Sequence, residues 1–368
     1  MKKENRKKAV FCIVFLLVLW GFWLTDVLCK DRLYSDWEKR MLAQKPEFSL
    51  NGLLEGSYGT AYEEWLTDQF PGRDAWVSVK TRCEILLGKK EIQGIYLGKE
   101  GQMYAESTQT SDWDKLEVSM QEQFGEEKVS RIHAPHAGEV LTELLPQGIR
   151  FSGGESADFQ ELSFMEDSAR QELSLTEDAV LWNLREHSSE YIYFKTDHHW
   201  TMLGAYYAYE AWALQQRMEP VCLTSLEKSV LREEFLGTHY GKIHYASASD
   251  TLEFYDPGTT CSAVYDLGTS DVNGLYQLQH LKGEDAYRYF LDGNHGLVEI
   301  TTEQDGGHLV VLKDSFANNL IPFLTAHYEK ITVIDPRYFR MDIGEWLADK
   351  NVTEVLIVAQ DTTKAEYR

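Results

Sequence analysis

The sequence predicts an α/β protein with a mostly parallel sheet, preceded by an N-terminal membrane anchor helix. Two observations lead to this fold class. The C-terminal third alternates short apolar runs with longer amphipathic segments, and a basic cluster at the N-terminus precedes an uncharged apolar run. Alternating strands and helices favour a parallel sheet that carries helices on its faces.

The anchor prediction comes from residues 1–25. Residues 1–8 carry five basic side chains against one acidic, and residues 9–25 carry no charge. Aromatic residues favour the membrane interface, and two tryptophans lie near the outer end of the run. A cleaved signal peptide is the alternative, but no Ala-x-Ala site follows, and Leu28 is too large for lipoprotein cleavage before Cys29. We therefore expect a basic cytoplasmic tail, a single-pass signal anchor, and an extracytoplasmic domain at the cell membrane.

The rest of the chain divides into a juxtamembrane stalk over residues 26–60 and one domain over residues 61–368. Thr201 caps a predicted helix rich in small and aromatic residues. The region from about 220 to 300 contains short β-like runs whose order the sequence does not assign. The remaining predicted elements are two helices joined by a Pro-Gly turn at 71–72, strands at 191–194, 309–312, 331–334 and 354–358, and helices at about 316–329 and 342–350.

Composition excludes several classes of protein. The chain has 368 residues, of which 43% are hydrophobic, so it can bury a core and is not disordered. Its net charge of -23 repels phosphate backbones, so we expect no nucleic-acid partner. The five cysteines form no CxxC pair and no zinc-type spacing with histidine. A zinc ribbon and a disulfide scaffold are thus excluded, and the redox state of the cysteines stays open.

Polar segments follow three predicted strands, at the edge where open α/β sheets bind their ligands. Ser315 stands at a strand-to-helix turn, where helix N–H groups can stabilise an oxyanion. His199 can act as the base for this serine, and Asp197 can orient the imidazole. The sequence therefore suggests a Ser-His-Asp triad.

Each triad residue also has a purely structural interpretation. Ser315 can be a helix N-cap, and Asp197 can be a turn or cap residue. The histidines at 198 and 199 can be partly buried, hydrogen-bonded side chains.

A metal site is a further interpretation of residues 197–199. Imidazole and carboxylate groups together suit zinc or iron, with His133 and His136 as additional ligands. Adjacent histidines on an extended segment point in opposite directions, which disfavours a shared ion. We expect no metal and no cofactor.

Residues 194–201, FKTDHHWT, resemble the signature of the bacterial DHHW proteins, which are similar to the SGNH-hydrolase-like alginate O-acetyltransferases. The resemblance extends from about residue 35 to the C-terminus. The other matching segments follow in the same order: DQFPGRD at 68–74, AP at 134–135, KDSFAN at 313–318 and DPRYF at 335–339.

The resemblance implies a three-layer α/β/α domain of the SGNH type. It assigns Ser315 as nucleophile, His199 as general base and Asp197 as its orienting partner. Lys313 occupies the position of a glycine in SGNH hydrolases, and oxyanion donors beyond the Ser315 N–H are unassigned, with the side chain of Asn318 or Asn319 as a candidate. The residues implied for substrate binding are His198, Trp200, Arg337 and Asn318.

The function implied by the resemblance is O-acetylation, or deacetylation, of a cell-surface or exported polysaccharide through an acetyl-serine at residue 315. Because acetyl-CoA is cytoplasmic, a multi-pass membrane O-acyltransferase would deliver the acetyl group. The alternative, from a different class, is a non-catalytic polysaccharide-binding or assembly protein with the same fold.

Overall fold

The computed structural model describes residues 2–35, 37–38, 40–107, 111–152 and 179–367. The chain groups into two compact units. The first comprises Met1–Lys89 and Lys242–Tyr245, and the second comprises Lys90–Gly241 and Ala246–Arg368.

The first unit is mainly helical. Ser49 caps the second helix by accepting a hydrogen bond from the Gly52 N–H at 3.2 Å, and Gly56 ends it with φ of 84°. Gly72, with φ of 67°, begins the fourth helix, so the predicted helix pair around a Pro-Gly turn is confirmed. The elements are α1 (Lys2–Leu28), β1 (Tyr34–Ser35), β2 (Arg40–Met41), α2 (Leu50–Glu55), α3 (Ser57–Gln69) and α4 (Arg73–Leu86).

The predicted anchor segment, residues 9–25, lies within α1. Across the described ranges, none of the helices combines the length and apolar character that crossing a membrane requires.

Helices α3 and α4 belong to the first unit, whereas the predicted domain begins at residue 61. A buried carboxylate explains this grouping. Asp68 of α3 accepts two hydrogen bonds from the Arg40 guanidinium, at 2.6 and 2.8 Å, and one from the Ala43 N–H at 2.9 Å. The arginine holds the pKa of Asp68 below its usual value. These bonds tie α3 to the segment that precedes it.

The second unit is built on a six-stranded, mostly parallel sheet, as the apolar runs predict. The three central strands, at 308–313, 330–334 and 354–360, are rich in Val, Ile and Leu and are buried on both faces, which is typical of parallel sheets. The strand order is β10, β11, β13, β12, β14, β6, and β11 is antiparallel to both of its neighbours. Their bounds are β6 (Val129–Ala134), β10 (Cys261–Tyr265), β11 (Leu297–Thr302), β12 (His308–Lys313), β13 (Lys330–Ile334) and β14 (Glu354–Gln360).

Alternate residues of the sheet pack into two hydrophobic clusters. Val311 belongs to the cluster that includes most of helix α8 (Met202–Gln215). Val310 and Leu312 belong to the other, with Trp113 of α5 (Trp113–Phe124) and Leu347 of α11 (Ile343–Leu347). Because side chains alternate along a strand, the two clusters cover opposite faces of the sheet.

Strand β12 lies between β13 and β14, the two parallel strands that follow it in the chain. The strand order therefore reverses at β12. In open α/β sheets such a reversal opens a crevice at the carboxyl end of the strand, and Ser315 follows that end.

The structure differs from the predicted elements at three places. Residues 316–329 are not one helix but a 3-10 helix, Ser315–Asn319, followed by α10 (Ile321–Leu324), because Pro322 begins a new turn and Thr325 ends it. Residues 191–194 form no strand, and they pair as β-structure with the rest of the described chain through an isolated bridge between Tyr193 and Trp200. The helix at 342–350 is shorter, Ile343–Leu347.

The smaller elements complete the second unit. Thr201 caps α8 by accepting a hydrogen bond from the Gly204 N–H at 3.2 Å, as predicted. The remaining elements are β3 (Glu91–Ile92), β4 (Ile95–Leu97), β5 (Met103–Ala105), β7 (Ile149–Ser152), β8 (Glu227–Phe235), β9 (Asp250–Asp256), β15 (Lys364–Tyr367), α6 (Ala137–Val140), α7 (Ala179–Glu186) and α9 (Thr238–Ile243).

Candidate active site

A tight hairpin over residues 194–201 carries two of the predicted triad residues. The Phe194 N–H donates to the His199 carbonyl at 3.2 Å, and the Thr201 N–H donates to the Ile192 carbonyl at 2.9 Å. This bend turns both histidines to the same side, with ring centroids 3.7 Å apart. The expectation of an extended segment with its histidines pointing apart is therefore wrong.

The structure brings Asp197, His199 and Ser315 together. The Asp197 Oδ1 lies 2.6 Å from His199 Nδ1, and His199 Nε2 lies 2.8 Å from the Ser315 Oγ. A carboxylate accepts the Nδ1 proton, which leaves Nε2 to accept the proton of the serine hydroxyl. This is the arrangement that a nucleophilic serine and its general base require.

Asp314, the residue before the serine, fixes the turn after β12. Its Oδ1 accepts a hydrogen bond from the Phe316 N–H, and its Oδ2 accepts one from the Gln360 N–H at the end of β14, both at 2.8 Å. Burial raises the pKa of the Asp314 carboxyl. Asp314 is thus the N-cap of the 3-10 helix, and the interpretation of Ser315 as the cap is wrong.

The turn leaves few donors for an oxyanion. The Phe316 N–H is committed to Asp314. Asn318 donates to the Gly293 carbonyl at 3.1 Å, and Asn319 donates to the Trp200 carbonyl at 3.2 Å, so both predicted side-chain candidates have other partners. Within the described part of the chain, the Ser315 N–H has no protein acceptor, and it belongs to the nucleophilic residue itself.

Two of the residues implied for substrate binding come from the hairpin, and their environments differ. His198 is half-exposed, and its Nδ1 lies 2.8 Å from the Thr238 Oγ1. Trp200 is fully buried and donates from Nε1 to the Phe316 carbonyl at 3.0 Å. His198 therefore remains accessible beside the triad, whereas Trp200 is a buried hydrogen-bond partner of the 3-10 helix.

Arg337 does not present a free guanidinium. Its Nε and Nη2 bind both carboxylate oxygens of the buried Asp335, at 2.8 and 2.6 Å. Asp335 is thus an internal partner of Arg337, and the role of Arg337 in substrate binding stays a prediction.

Lys313, which stands in the place of the expected glycine, is also fully buried. Its Nζ donates to Asn294 and Asn318 at 2.8 and 2.7 Å and lies 3.6 Å from Asp335. Burial lowers the pKa of Lys313 to about 8.

Tyr287 is a site residue that sequence reasoning missed. Its ring stacks on the His199 imidazole, with centroids 4.0 Å apart and an interplanar angle of 11°. Its hydroxyl donates to the Ser315 carbonyl at 2.9 Å, and burial raises the pKa of the Tyr287 phenol well above its usual value. Tyr287 therefore contacts both the base and the backbone of the nucleophile. No local signal marks it, because it lies in a tyrosine-rich stretch.

Residues 237–240, which contain the start of α9, are site residues that sequence reasoning missed as well. The Thr238 N–H donates to the Asp197 Oδ2 at 2.7 Å, and the Gly237 N–H donates to the Thr196 Oγ1 at 2.9 Å. Gly237 lies so close to Asp197 that a Cβ atom there would be 2.2 Å from the aspartate Cβ.

The donor atoms of residues 197–199 lie within 4.8 Å of one another, a distance compatible with a metal ion. The two additional ligands considered from the sequence have other partners. His133 Nδ1 lies 2.7 Å from the Asp361 Oδ2. The buried His136 donates from Nε2 to the Ala105 carbonyl at 2.8 Å and accepts at Nδ1 from the Gly138 N–H at 3.0 Å.

Comparisons with known proteins place the chain in a family. A family model described as DHHW protein matches residues 38–134 and 161–334. The crystal structure of a DHHW family protein from Eubacterium siraeum has a TM-score of 0.53 at 24% identity, covering 72% of this chain and 93% of that one. Bacillus cereus PatB1 with a sulfonyl adduct has a TM-score of 0.50 at 19% identity, covering 73% of this chain and 93% of that one. No curated protein gives a significant match. The chain belongs to the DHHW protein family, as its FKTDHHWT segment predicts.

Proposed function

We propose that this protein is a serine acyltransferase or esterase that adds acetyl groups to, or removes them from, the hydroxyls of a cell-surface or exported polysaccharide. One observation carries the proposal: His199 is hydrogen-bonded at once to the Asp197 carboxylate and to the Ser315 hydroxyl, at 2.6 and 2.8 Å. The fold that it shares with the DHHW family protein from Eubacterium siraeum supports the family resemblance from which the acetyl chemistry is inferred.

The first half of the proposed reaction forms an acetyl-serine. The Ser315 Oγ attacks the carbonyl carbon of the acetyl donor while His199 Nε2 takes the hydroxyl proton. Asp197 stabilises the imidazolium that results, and the Ser315 N–H stabilises the oxyanion. The tetrahedral intermediate then collapses, and the leaving alcohol takes the proton from His199.

The second half regenerates the serine. A sugar hydroxyl loses its proton to His199 Nε2 and attacks the acetyl carbon, so that the acetyl group passes to the sugar and the proton returns to Ser315. Water in place of the sugar gives hydrolysis. The same three side chains serve both outcomes, and the acceptor decides between them.

We further propose that the protein acts outside the cytoplasm, anchored through residues 9–25, and receives acetyl groups from a multi-pass membrane O-acyltransferase. The basic residues in 1–8 and the uncharged run after them support this placement. Fractionation of cells that produce the full chain, followed by protease treatment of intact cells, tests it. Recovery of a protease-resistant protein in the soluble fraction would contradict it.

The chemistry is tested by intact-mass measurement of the full-length protein after incubation with an activated acetyl ester or an aromatic sulfonyl fluoride. We expect one adduct in the wild type, mapped to the peptide that contains Ser315, and none in Ser315→Ala. Ser229→Ala, on the exposed face of β8, is the matched control and should be labelled like the wild type. A sulfonyl reagent suits the test because PatB1 carries a sulfonyl adduct in its structure. Equal labelling of Ser315→Ala would contradict the proposal.

A non-catalytic polysaccharide-binding protein is the second candidate, and one observation favours it. The Phe316 N–H, which lies next to the nucleophile in the chain, is committed to Asp314 and does not contribute to an oxyanion hole. Retained binding of a polysaccharide by Ser315→Ala, with no adduct in the wild type, would support this candidate.

A further inference from the structure

We propose that Asp250 is a positioning residue for the acyl transfer: its buried carboxylate holds the 195–199 loop so that Asp197 and His199 face Ser315. The role in the reaction rests on the proposed function, whereas the role in placing the loop does not. Asp250 is the first residue of β9 and is 1% exposed. It belongs to none of the motifs that the sequence analysis singled out.

Four donors converge on this carboxylate. The Oδ1 accepts from the Tyr191 hydroxyl at 2.7 Å and from the Lys195 N–H at 2.6 Å. The Oδ2 accepts from the Thr196 N–H at 2.8 Å and from the Thr196 Oγ1 at 2.5 Å. Three of the four bonds therefore go to the two residues that immediately precede Asp197.

The four donors are neutral, so the carboxylate is stabilised by hydrogen bonds and not by an ion pair. Burial alone raises the pKa of Asp250, and these bonds oppose that shift. A buried anion held in this way is costly to disturb, because each donor would otherwise lack a partner away from water. The loop is thus fixed to Asp250 through its own backbone N–H groups.

A second set of bonds holds the opposite side of the loop. The Thr196 Oγ1 accepts from the Gly237 N–H at 2.9 Å, and the Thr196 carbonyl accepts from the His239 N–H at 2.9 Å. Thr196 is therefore hydrogen-bonded to Asp250 on one side and to residues 237–240 on the other. The next residue, Asp197, cannot move independently of these bonds, and its position sets the geometry of its hydrogen bond to His199.

Substitution of Asp250 by asparagine tests the role, because asparagine keeps the shape of the side chain and has one acceptor oxygen in place of two. In Asp250→Asn, one amide oxygen serves one pair of donors, and the NH2 group faces a backbone N–H of the loop. We expect the loop to shift. Displacement of a catalytic group by about 1 Å costs about 100-fold in rate, so we expect kcat to fall by about that factor. KM should stay within about twofold, because Asp250 is buried and does not contact substrate.

The experiment compares wild type, Asp250→Asn and Thr302→Val in the full-length protein. Thr302 is the last residue of β11, and Thr302→Val loses the buried hydrogen bond to the Tyr328 carbonyl and the acceptor of the Gln304 N–H, so it controls for lost stability alone. Rates of Ser315 labelling are measured well below both melting temperatures. A labelling rate of Asp250→Asn equal to that of Thr302→Val would overturn the inference.

A second measurement needs no reaction. The proton between His199 Nδ1 and Asp197 lies in a 2.6 Å hydrogen bond and should resonate far downfield in the proton NMR spectrum. We expect this signal in wild type and Thr302→Val, and its loss or rapid exchange with water in Asp250→Asn. An unchanged signal in Asp250→Asn would overturn the inference. Failure to label the wild type would contradict the proposed function instead, and the NMR result would still test the inference.

Discussion

Substitution of Gly237 by alanine probes the site with a single methyl group. The added Cβ would lie 2.2 Å from the Asp197 Cβ and 2.4 Å from its Oδ2. Contacts below 3.0 Å are essentially never seen for real Cβ atoms, and ordinary contact begins at 3.4 Å. One of the two groups must therefore move by about 1 Å or more.

Asp197 has little freedom to yield. Its Oδ1 binds the His199 Nδ1, and its Oδ2 binds the Thr238 N–H at 2.7 Å. Overpacking of a rigid site costs about 1–3 kcal/mol in the free energy of unfolding. A shift of about 1 Å in a group that orients the base costs about 100-fold in rate. We expect both effects in Gly237→Ala.

The assay measures the rate of Ser315 labelling and the melting temperature of the same preparations. Gly283→Ala is the matched control, because its Cβ would make only an ordinary contact at 3.6 Å, and it should behave like wild type in both measurements. A Gly237→Ala protein that is labelled at the wild-type rate would refute the reasoning, since Asp197 would then tolerate the displacement that the distances require.

Three further substitutions give distinct outcomes. Burial lowers the pKa of His136 to about 4, so the unfolded chain takes up more protons there than the folded chain as pH falls from 6.5 to 4. Over that range, chemical unfolding should show a loss of stability that is about 3 kcal/mol larger in the wild type than in His136→Gln. Tyr287→Phe removes the hydrogen bond from the hydroxyl to the Ser315 carbonyl but keeps the stacked ring. The rate of Ser315 labelling should fall by less than about tenfold. A fall of about 1,000-fold would assign the hydroxyl a direct part in the chemistry. Arg337→Gln removes the bidentate partner of the buried Asp335 and should lower the free energy of unfolding by roughly 3 kcal/mol without changing KM. A raised KM at unchanged stability would instead support a role of Arg337 in substrate binding.

The central strands could be predicted because each one is a run of residues buried on both faces. The run LVVL at 309–312 needs no partner to be recognised, and neither does EVLIV at 354–358. Their order depends on pairing between distant residues, such as Val355 with Val129, and no local pattern encodes it. For the same reason the sequence does not order the antiparallel strands β10 and β11.

The candidate site divides in the same way. Asp197 and His199 are two residues apart, and Ser315 follows an evident strand, so local sequence suffices to propose them. Asp250 lies 54 residues from Thr196, and Tyr287 lies 28 residues from Ser315. Their contribution arises only from tertiary contact. The assignment of Arg337 and Trp200 to substrate binding stays a prediction, because polar or aromatic character alone does not say which partner a side chain has.

The hydrogen bond from the Gln360 N–H to Asp314 implies that the parts of the site form in a fixed order during synthesis. The hairpin with Asp197 and His199 obtains its hydrogen bonds to Asp250 once β9 has been made, and its bond to Ser315 spans 116 positions. The turn that presents the serine, however, obtains its last hydrogen bond only when β14 has been made and has docked beside β12. A nascent chain shorter than 360 residues therefore lacks the hydrogen bond that joins Asp314 to β14. The arrangement of Asp197, His199 and Ser315 is thus completed by the last strand of the six-stranded sheet to be synthesised.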